Sequence, residues 1–197
     1  AFASDATNLV AGDTNGRRDI FVHDRETGTT ERVSVASSGL GANNTSSEPA
    51  ISADGRYVAF GSVATNLVTG DANGVQDIFV HDRETKSTER MSITSSGAEG
   101  VPDNASALPH SGAAAISGDG QVVVFASCAR LTADASNGRR DVYLRDRASG
   151  ATERVSLPGS GVDIGGYLPA TNRDGSVIAF VSGSGSEGSV VPYDRQL

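Results

Sequence analysis

The segment Asp77-Ile78-Phe79-Val80-His81-Asp82 decides the fold, because copies of it stand elsewhere in the chain. Residues 19–24 repeat it letter for letter, residues 141–146 repeat it more loosely as Asp-Val-Tyr-Leu-Arg-Asp, and residues 189–194 keep a trace of it. The apolar run before each copy ends in a phenylalanine, at Phe2, Phe60, Phe125 and Phe180. A period of about 55 to 65 residues indicates stacked supersecondary units.

Each full period contains four segments of strand character, which we letter A to D. In the second copy, strand A is residues 49–52, strand B is 57–60, strand C is 77–82 and strand D is 89–93. Asp54-Gly55 lies between strands A and B, and Asp-Gly between two apolar runs is a strong hairpin signal. Strand B is almost wholly apolar, which indicates burial on both faces, whereas strand D alternates apolar and polar residues. No segment has a helical period.

Four antiparallel strands that become more polar from the first to the last are typical of a β-propeller blade. The sequence therefore predicts an all-β protein, a propeller of four-stranded antiparallel blades. A β-sandwich of short strands is the alternative, although a sandwich gives no reason for repetition at the level of sequence. The periods are somewhat longer than those of typical WD40 repeats, and the chain has no Trp-Asp signature.

The segment Ile51-Ser52-Ala53-Asp54-Gly55-Arg56-Tyr57-Val58-Ala59-Phe60, followed by residues 77–82, resembles the TolB-type, WD40-like (PD40) propeller repeat. The resemblance recurs over essentially the whole chain. It implies a propeller that works outside the cytoplasm, either secreted or periplasmic. Proteins with this repeat include scaffolds, binding modules and propeller domains attached to peptidases, so the resemblance leaves the activity open.

The repeats predict one propeller region over residues 1–197 and about three and a half blades. The predicted blade boundaries are 1–47 (strands B to D only), 48–111, 112–166 and 167–197 (strands A to C only). Such a partial ring has open strand edges, which pair readily with other chains. We therefore expect either a piece of a larger ring or an assembly in which two chains complete seven blades, with a head-to-tail filament as a further alternative.

Three B–C connections carry the pattern Asp-x-Asn-Gly-x-x-Asp or a variant of it. Carboxylate and amide oxygens are the ligands that Ca²⁺ prefers, so these loops are candidate calcium sites, although the spacing is not that of an EF-hand. The alternative is an Asn-Gly turn flanked by aspartates that cap loop amides. The candidate metal ligands are Asp13, Asn15, Asp19, Asp71, Asn73, Asp77, Asp134, Asn137 and Asp141.

Other polar residues recur in a way that indicates architecture rather than chemistry. His23 and His81 are equivalent, but the third and fourth copies have Arg145 and Tyr193 there, which argues against a shared metal or acid–base role. An Asp-Arg pair begins at the last residue of strand C in every copy, and a Glu-Arg pair opens strand D in three. We expect the Asp to open the C–D turn, and the Arg and Glu to form cross-strand pairs.

Composition and the lack of known motifs argue against several classes of function. The net charge of −8 argues against a nucleic-acid partner, and no segment has the length and apolarity of a membrane span. The chain has one cysteine, which excludes an intrachain disulfide. It contains no Gly-x-Ser-x-Gly, His-Glu-x-x-His or phosphate-loop motif, so no catalytic residue is predicted.

The loops that differ in length and sequence between the copies are the best candidates for binding. Chain direction places the D–A and B–C loops on one side of a propeller, and binding residues concentrate on loops held by a rigid scaffold. The first prediction is a non-enzymatic scaffold outside the cytoplasm that binds a protein or glycan on this side. The alternatives are the propeller part of a secreted hydrolase or peptidase whose catalytic domain lies outside these residues, and a structural repeat protein that assembles with other copies, as a homo-oligomer or filament, through its open blade edges.

Overall fold

The computed structural model describes residues 1–102, 111–135, 140–156, 166–182 and 189–195. All regular secondary structure in these ranges is β. The strands are β1 (Phe2–Ser4), β2 (Asp19–His23), β3 (Thr30–Arg32), β4 (Ser46–Ile51), β5 (Tyr57–Ser62), β6 (Asp77–Asp82), β7 (Ser87–Arg90), β8 (Val101–Pro102), β9 (Ser111–Ile116), β10 (Val122–Ser127), β11 (Ala129–Arg130), β12 (Asp141–Asp146), β13 (Thr152–Arg154), β14 (Tyr167–Thr171), β15 (Val177–Ser182) and β16 (Ser189–Asp194). A search of the described residues for a membrane-spanning helix finds none.

Four antiparallel sheets form successive blades, which confirms the predicted fold class. The first blade has the order β1-β2-β3, the second β4-β5-β6-β7, the third β9-β10-β12-β13 and the fourth β14-β15-β16. The first blade therefore has strands B to D, the second and third have all four, and the fourth has strands A to C. The residue boundaries predicted for the repeats remain a prediction.

A fifth, two-stranded sheet was not predicted. Strand β8 pairs with β11, so the D–A loop after the second blade is joined to the start of the B–C loop of the third. Two residues on each side are too short for a recognisable alternation of apolar and polar residues. This pairing fixes one long loop against its neighbour.

The Asp-Gly turns have the geometry that the sequence predicts. Gly55, Gly120 and Gly175 all have φ of +74° in the three A–B turns, a backbone region that glycine adopts at little steric cost. Strands B and C then pair in equivalent registers, with Phe60 opposite Phe79 and Phe125 opposite Tyr143. The repeated sequence therefore places equivalent side chains at equivalent points of successive blades.

The hydrophobic cores lie between neighbouring blades, as burial of strand B on both faces requires. In the core between the first and second blades, the first blade contributes strands C and D, and the second contributes strands B and C with its B–C loop. Its main members are Ile20, Val22, Val33, Val58, Phe60, Leu67 and Phe79. Equivalent positions fill the cores between the second and third and between the third and fourth blades. A blade is thus buried only when both neighbours are present.

The strand types of the described blades are unequal in number. The described residues form four strands each of types B and C and three each of types A and D. The completion of a larger ring, whether by further blades or by a second chain, stays a prediction.

Candidate functional site

The second blade brings its predicted metal ligands together around an arginine. Asp71 lies in the B–C loop, Asp77 is the first residue of strand C, and Glu99 reaches both from the following D–A loop. The three side chains each offer a carboxylate oxygen, and these oxygens lie within 4.8 Å of one another. Nη1 of Arg90, on strand D, lies 3.3 Å from Asp71, 3.5 Å from Asp77 and 2.5 Å from Glu99. Asn73 donates its side-chain amide to Asp77 at 2.9 Å.

The other two loops repeat the pairing of two aspartates with one arginine. In the first blade, Nη1 of Arg32 lies 3.1 Å from Asp13 and 3.4 Å from Asp19, and Asn15 donates to Asp19 at 2.7 Å. In the third blade, Arg154 lies 3.0 Å from Asp134 and 3.5 Å from Asp141. Asn137 lies outside the described residues. The arginine comes from the Glu-Arg pair that opens strand D.

Each cluster is anchored by a serine that the sequence analysis missed. Ser92 Oγ donates to Asp77 at 2.5 Å and accepts the backbone N–H of Ile78 at 3.0 Å. The same links join Ser34 to Asp19 and Ser156 to Asp141, at 2.6 Å each. The signal was present, because an Arg-x-Ser pattern stands in strand D of all three copies. These aspartates therefore tie strand C to strand D inside the blade.

The second cluster carries a larger excess of negative charge than the first. Three carboxylates face one guanidinium there, against two carboxylates in the first cluster. Burial raises the pKa of Asp71 to about 6, and the charges of Asp77 and Glu99 act in the same direction against the opposing effect of Arg90. Burial also raises the pKa of Asp77, although its hydrogen bonds from Ser92 and Asn73 oppose that shift.

Calcium binding remains a prediction, and the structure adds the arginines as competitors for the same oxygens. A guanidinium already donates to the carboxylates that a metal ion would use. A search of the described residues finds three carboxylates close enough to share a metal ion in the second cluster, so calcium is best tested there. Asn15 and Asn73 present amide donors to their aspartates, an arrangement that favours the capped turn over a ligand shell.

Replacing Asp71 with asparagine distinguishes the two interpretations. In calcium-free buffer at pH 7.5 we expect Asp71→Asn to raise the free energy of unfolding by about 1 kcal/mol, because it removes one of three mutually repelling carboxylates, of which Asp77 is buried and the other two are partly buried. If calcium binds the cluster, calcium must stabilise the wild type, and the variant must lose most of that gain. Urea denaturation with chelator and with calcium measures both effects, and Asp5→Asn, at an exposed carboxylate, is the control. An unchanged wild-type midpoint on adding calcium would rule out the calcium prediction.

The histidine position is part of the joint between blades. His81 Nδ1 lies 2.8 Å from Thr88 Oγ1, whose hydroxyl donates to the carbonyl oxygen of Val35 in the preceding blade. Thr88 Oγ1 must therefore accept its hydrogen bond from His81 Nδ1–H. Burial, followed by the charge of Lys86, lowers the pKa of His81. In the third blade, Arg145 Nη1 likewise donates to Thr152 Oγ1, at 2.9 Å.

The repeated arginine of the C–D turn also joins blades, which corrects the expectation of cross-strand pairs within a blade. Arg83 bonds Glu31 of the preceding blade, and Arg147 Nη2 donates to Glu89 of the preceding blade at 2.6 Å. The aspartate before this arginine opens the turn as expected, since Asp82 accepts the backbone N–H of Glu84 at 2.9 Å.

The B–C and D–A loops share one side of the propeller, which we call the long-loop face (residues 5–18, 33–45, 63–76, 91–102 and 128–135). Its loops are bonded to one another across the blades. The backbone N–H of Asn43 donates to Asn66 Oδ1 at 2.9 Å, and the side chain of Asn43 bonds Thr65 at 3.0 Å. Glu99 accepts the backbone N–H of Ala72 at 3.0 Å. These bonds fix the described loops relative to the blades.

Exposed aliphatic side chains stand on this face. Leu40 is 62% exposed and Val101 is 63% exposed, and Leu9 and Val63 are also exposed there. The opposite side, formed by the A–B and C–D turns, carries Ile51 and Val177 among the exposed large apolar residues. Apolar residues on a surface fixed by hydrogen bonds can contact a partner with little loss of conformational entropy.

Comparison with known proteins supports the fold. No family profile and no curated protein matches the chain in sequence. In structure it is similar to TolB from Acinetobacter baumannii (TM-score 0.56, 25% identity, 93% of this chain and 37% of that one). It is also similar to a putative TolB from Agrobacterium tumefaciens (TM-score 0.57, 16% identity, 91% of this chain and 53% of that one). A third similar structure is the tricorn protease (TM-score 0.51, 12% identity, 86% of this chain and 13% of that one). The chain thus spans about 37% to 53% of the length of the two TolB structures. The predicted resemblance is confirmed, and the chain folds as a TolB-like β-propeller.

Proposed function

We propose that this TolB-like propeller is a non-enzymatic scaffold that works outside the cytoplasm and binds a protein partner on its long-loop face. The observation that carries the proposal is the set of exposed aliphatic side chains on hydrogen-bonded loops. Leu40 and Val101 stand on the D–A loops, the connections that differ most between the copies. The location outside the cytoplasm rests on the resemblance to TolB-type propellers.

A protein suits this face better than a glycan. Exposed apolar groups that cluster on one surface are typical of protein–protein contacts. The exposed large apolar side chains of the long-loop face are Leu and Val, and the chain contains no Trp. The face therefore offers aliphatic contacts for a protein side chain and no indole on which a sugar ring could stack.

The polar residues that recur between copies support a scaffold role. Asp19, Asp77 and Asp141 are almost fully buried and are bonded to a serine within their own blades. His81 is buried and bonded to Thr88. Groups that hold blades together in successive copies serve the fold, whereas catalysis would require one copy to differ. A hydrolase whose catalytic domain lies outside this chain remains the alternative, and the tricorn protease is a peptidase with a similar fold.

Site-specific photocrosslinking in cells that secrete this protein tests the proposal. A photoreactive amino acid at position 40 or 101 should capture the same protein, and the same group at position 51, on the opposite side, should not. The captured protein, once purified, should bind the wild type and the Ile51→Asp control equally. It should bind the Leu40→Asp variant at least about tenfold more weakly, because a carboxylate then lies in an apolar contact. Equal binding by Leu40→Asp, or equal capture from position 51, would contradict the proposal.

A further inference from the structure

The third blade carries an arginine, Arg145, at the position where the second blade carries the buried His81. Nη1 of this arginine donates to three uncharged oxygens, those of the Thr94 carbonyl at 3.2 Å, the Gly150 carbonyl at 2.6 Å and the Thr152 hydroxyl at 2.9 Å. Thr94 belongs to the second blade, and the other two belong to the third. One nitrogen of Arg145 therefore makes all the bonds that the joint between the blades requires.

The other edge of the same guanidinium is free. Within the described part of the chain, Nε and Nη2 of Arg145 have no acceptor, and neither atom is buried. Arg145 also forms no ion pair there, whereas Arg147 donates to Glu89 at 2.6 Å. Burial lowers the pKa of Arg145 in spite of the opposing charges of Glu89 and Asp146. Two parallel N–H groups on one guanidinium edge fit the two oxygens of a carboxylate or a phosphate.

Arg145 lines a cleft between the second and third blades with a volume of about 250 Å³. Among the described residues that line this cleft, three are arginines and one, Glu89, is an acid. Arg90 is already bonded to its carboxylates, and Glu89 is bonded to Arg147. The charge of Arg145 is therefore the one without a fixed partner among these three arginines. The volume leaves room for a small oxyanion with several waters, since a water molecule occupies about 30 Å³ in the liquid.

We propose that this cleft binds an oxyanion, a carboxylate or a phosphate, at the Nε–Nη2 edge of Arg145. The three bonds from Nη1 hold the guanidinium in position before the ligand arrives, which reduces the entropy lost on binding. At the joint between the first and second blades, the imidazole of His81 offers no such pair of N–H groups. The site is separate from the proposed protein contact, because neither Leu40 nor Val101 lines the cleft.

Titrations of the purified chain with inorganic phosphate and with acetate, at neutral pH and constant ionic strength, test the proposal. The NMR signal of the Arg145 Nε–H group, assigned by its loss in Arg145→His, should shift and saturate with at least one of the two anions. We expect a dissociation constant of about 1 mM or lower. Saturation by phosphate alone would identify a phosphate site, and saturation by acetate alone would identify a carboxylate site. Arginine signals that all shift together without saturation would overturn the proposal.

Variants measured by calorimetry locate the site. Arg145→His installs the residue of the second blade and keeps a donor for Thr152, so it should fold and bind the anion at least about tenfold more weakly. Arg145→Lys keeps the charge without the paired N–H groups and should fall between the two. Arg17→His, at an exposed arginine outside the cleft, and Leu40→Asp should bind as the wild type does. Thermal melting checks that each variant folds. Unchanged binding by both Arg145 variants, or an equal loss in Arg17→His, would contradict the proposal without affecting the protein contact at Leu40.

Discussion

Replacing Asp77 with alanine is expected to lower the free energy of unfolding by about 3–5 kcal/mol, because it breaks a buried ionic network and leaves its partners unpaired. Asp77 is 2% exposed. Its carboxylate accepts the hydroxyl of Ser92 at 2.5 Å and the amide of Asn73 at 2.9 Å. Without it, the hydroxyl of Ser92, which is 0% exposed, stays buried with no equivalent acceptor, and a desolvated polar group left unpaired costs about 1–3 kcal/mol.

Urea denaturation of Asp77→Ala and a matched variant, Asp54→Ala, measures the effect. Asp54 also accepts a serine hydroxyl, from Ser52 at 2.5 Å, and the backbone N–H of Arg56 at 3.0 Å, but it lies in an exposed A–B turn. Water can replace those bonds, so we expect Asp54→Ala to cost about 1 kcal/mol. Asp77→Asn keeps an acceptor for Ser92 and should fall between the two. Equal losses for Asp77→Ala and Asp54→Ala would contradict a structural role for the buried cluster.

The blades could be predicted because the same strand and turn patterns recur in each copy of the repeat. Strands A to D and the Asp-Gly turns at Gly55, Gly120 and Gly175 depend on residues close in sequence, and the structure has them where the pattern predicts. The candidate calcium loops stay a prediction, and in the second of them the structure brings Asp71 and Asp77 close together. Their arginines were assigned elsewhere, because Arg90 lies 19 residues after Asp71 and only the sheet brings them together.

Contacts between blades could not be predicted from the pattern within one repeat. Arg83 and Glu31 lie in different copies, and the sequence equally allowed a pair within one blade. The choice depends on how closely successive sheets pack, which a periodic pattern does not specify.

The packing between blades also predicts the second large effect, a loss of about 3 kcal/mol in the free energy of unfolding for Gly120→Ala. A Cβ added at Gly120 would lie 2.1 Å from Cδ2 of Tyr57 in the preceding blade. The ring cannot move away easily, because the guanidinium of Arg147 lies 4.4 Å from its centroid and that of Arg56 lies 4.9 Å from it. Overpacking of this kind typically costs about 1–3 kcal/mol, in addition to the strain of a positive φ.

Gly55→Ala is the matched control, because Gly55 occupies the same turn of the second blade with the same φ of +74°. The nearest atom to an added Cβ there is Nη1 of Arg83 at 3.5 Å, an ordinary contact. Gly55→Ala should therefore cost only the backbone strain, about 1 kcal/mol. Tyr57→Ala is the second variant, because the three atoms nearest to a Cβ at Gly120 all belong to the ring of Tyr57. In that background Gly120→Ala should cost closer to what Gly55→Ala costs. If the cost of Gly120→Ala is the same with Tyr57 and with Ala at position 57, the strain lies in the turn itself, and the contact between blades does not account for it.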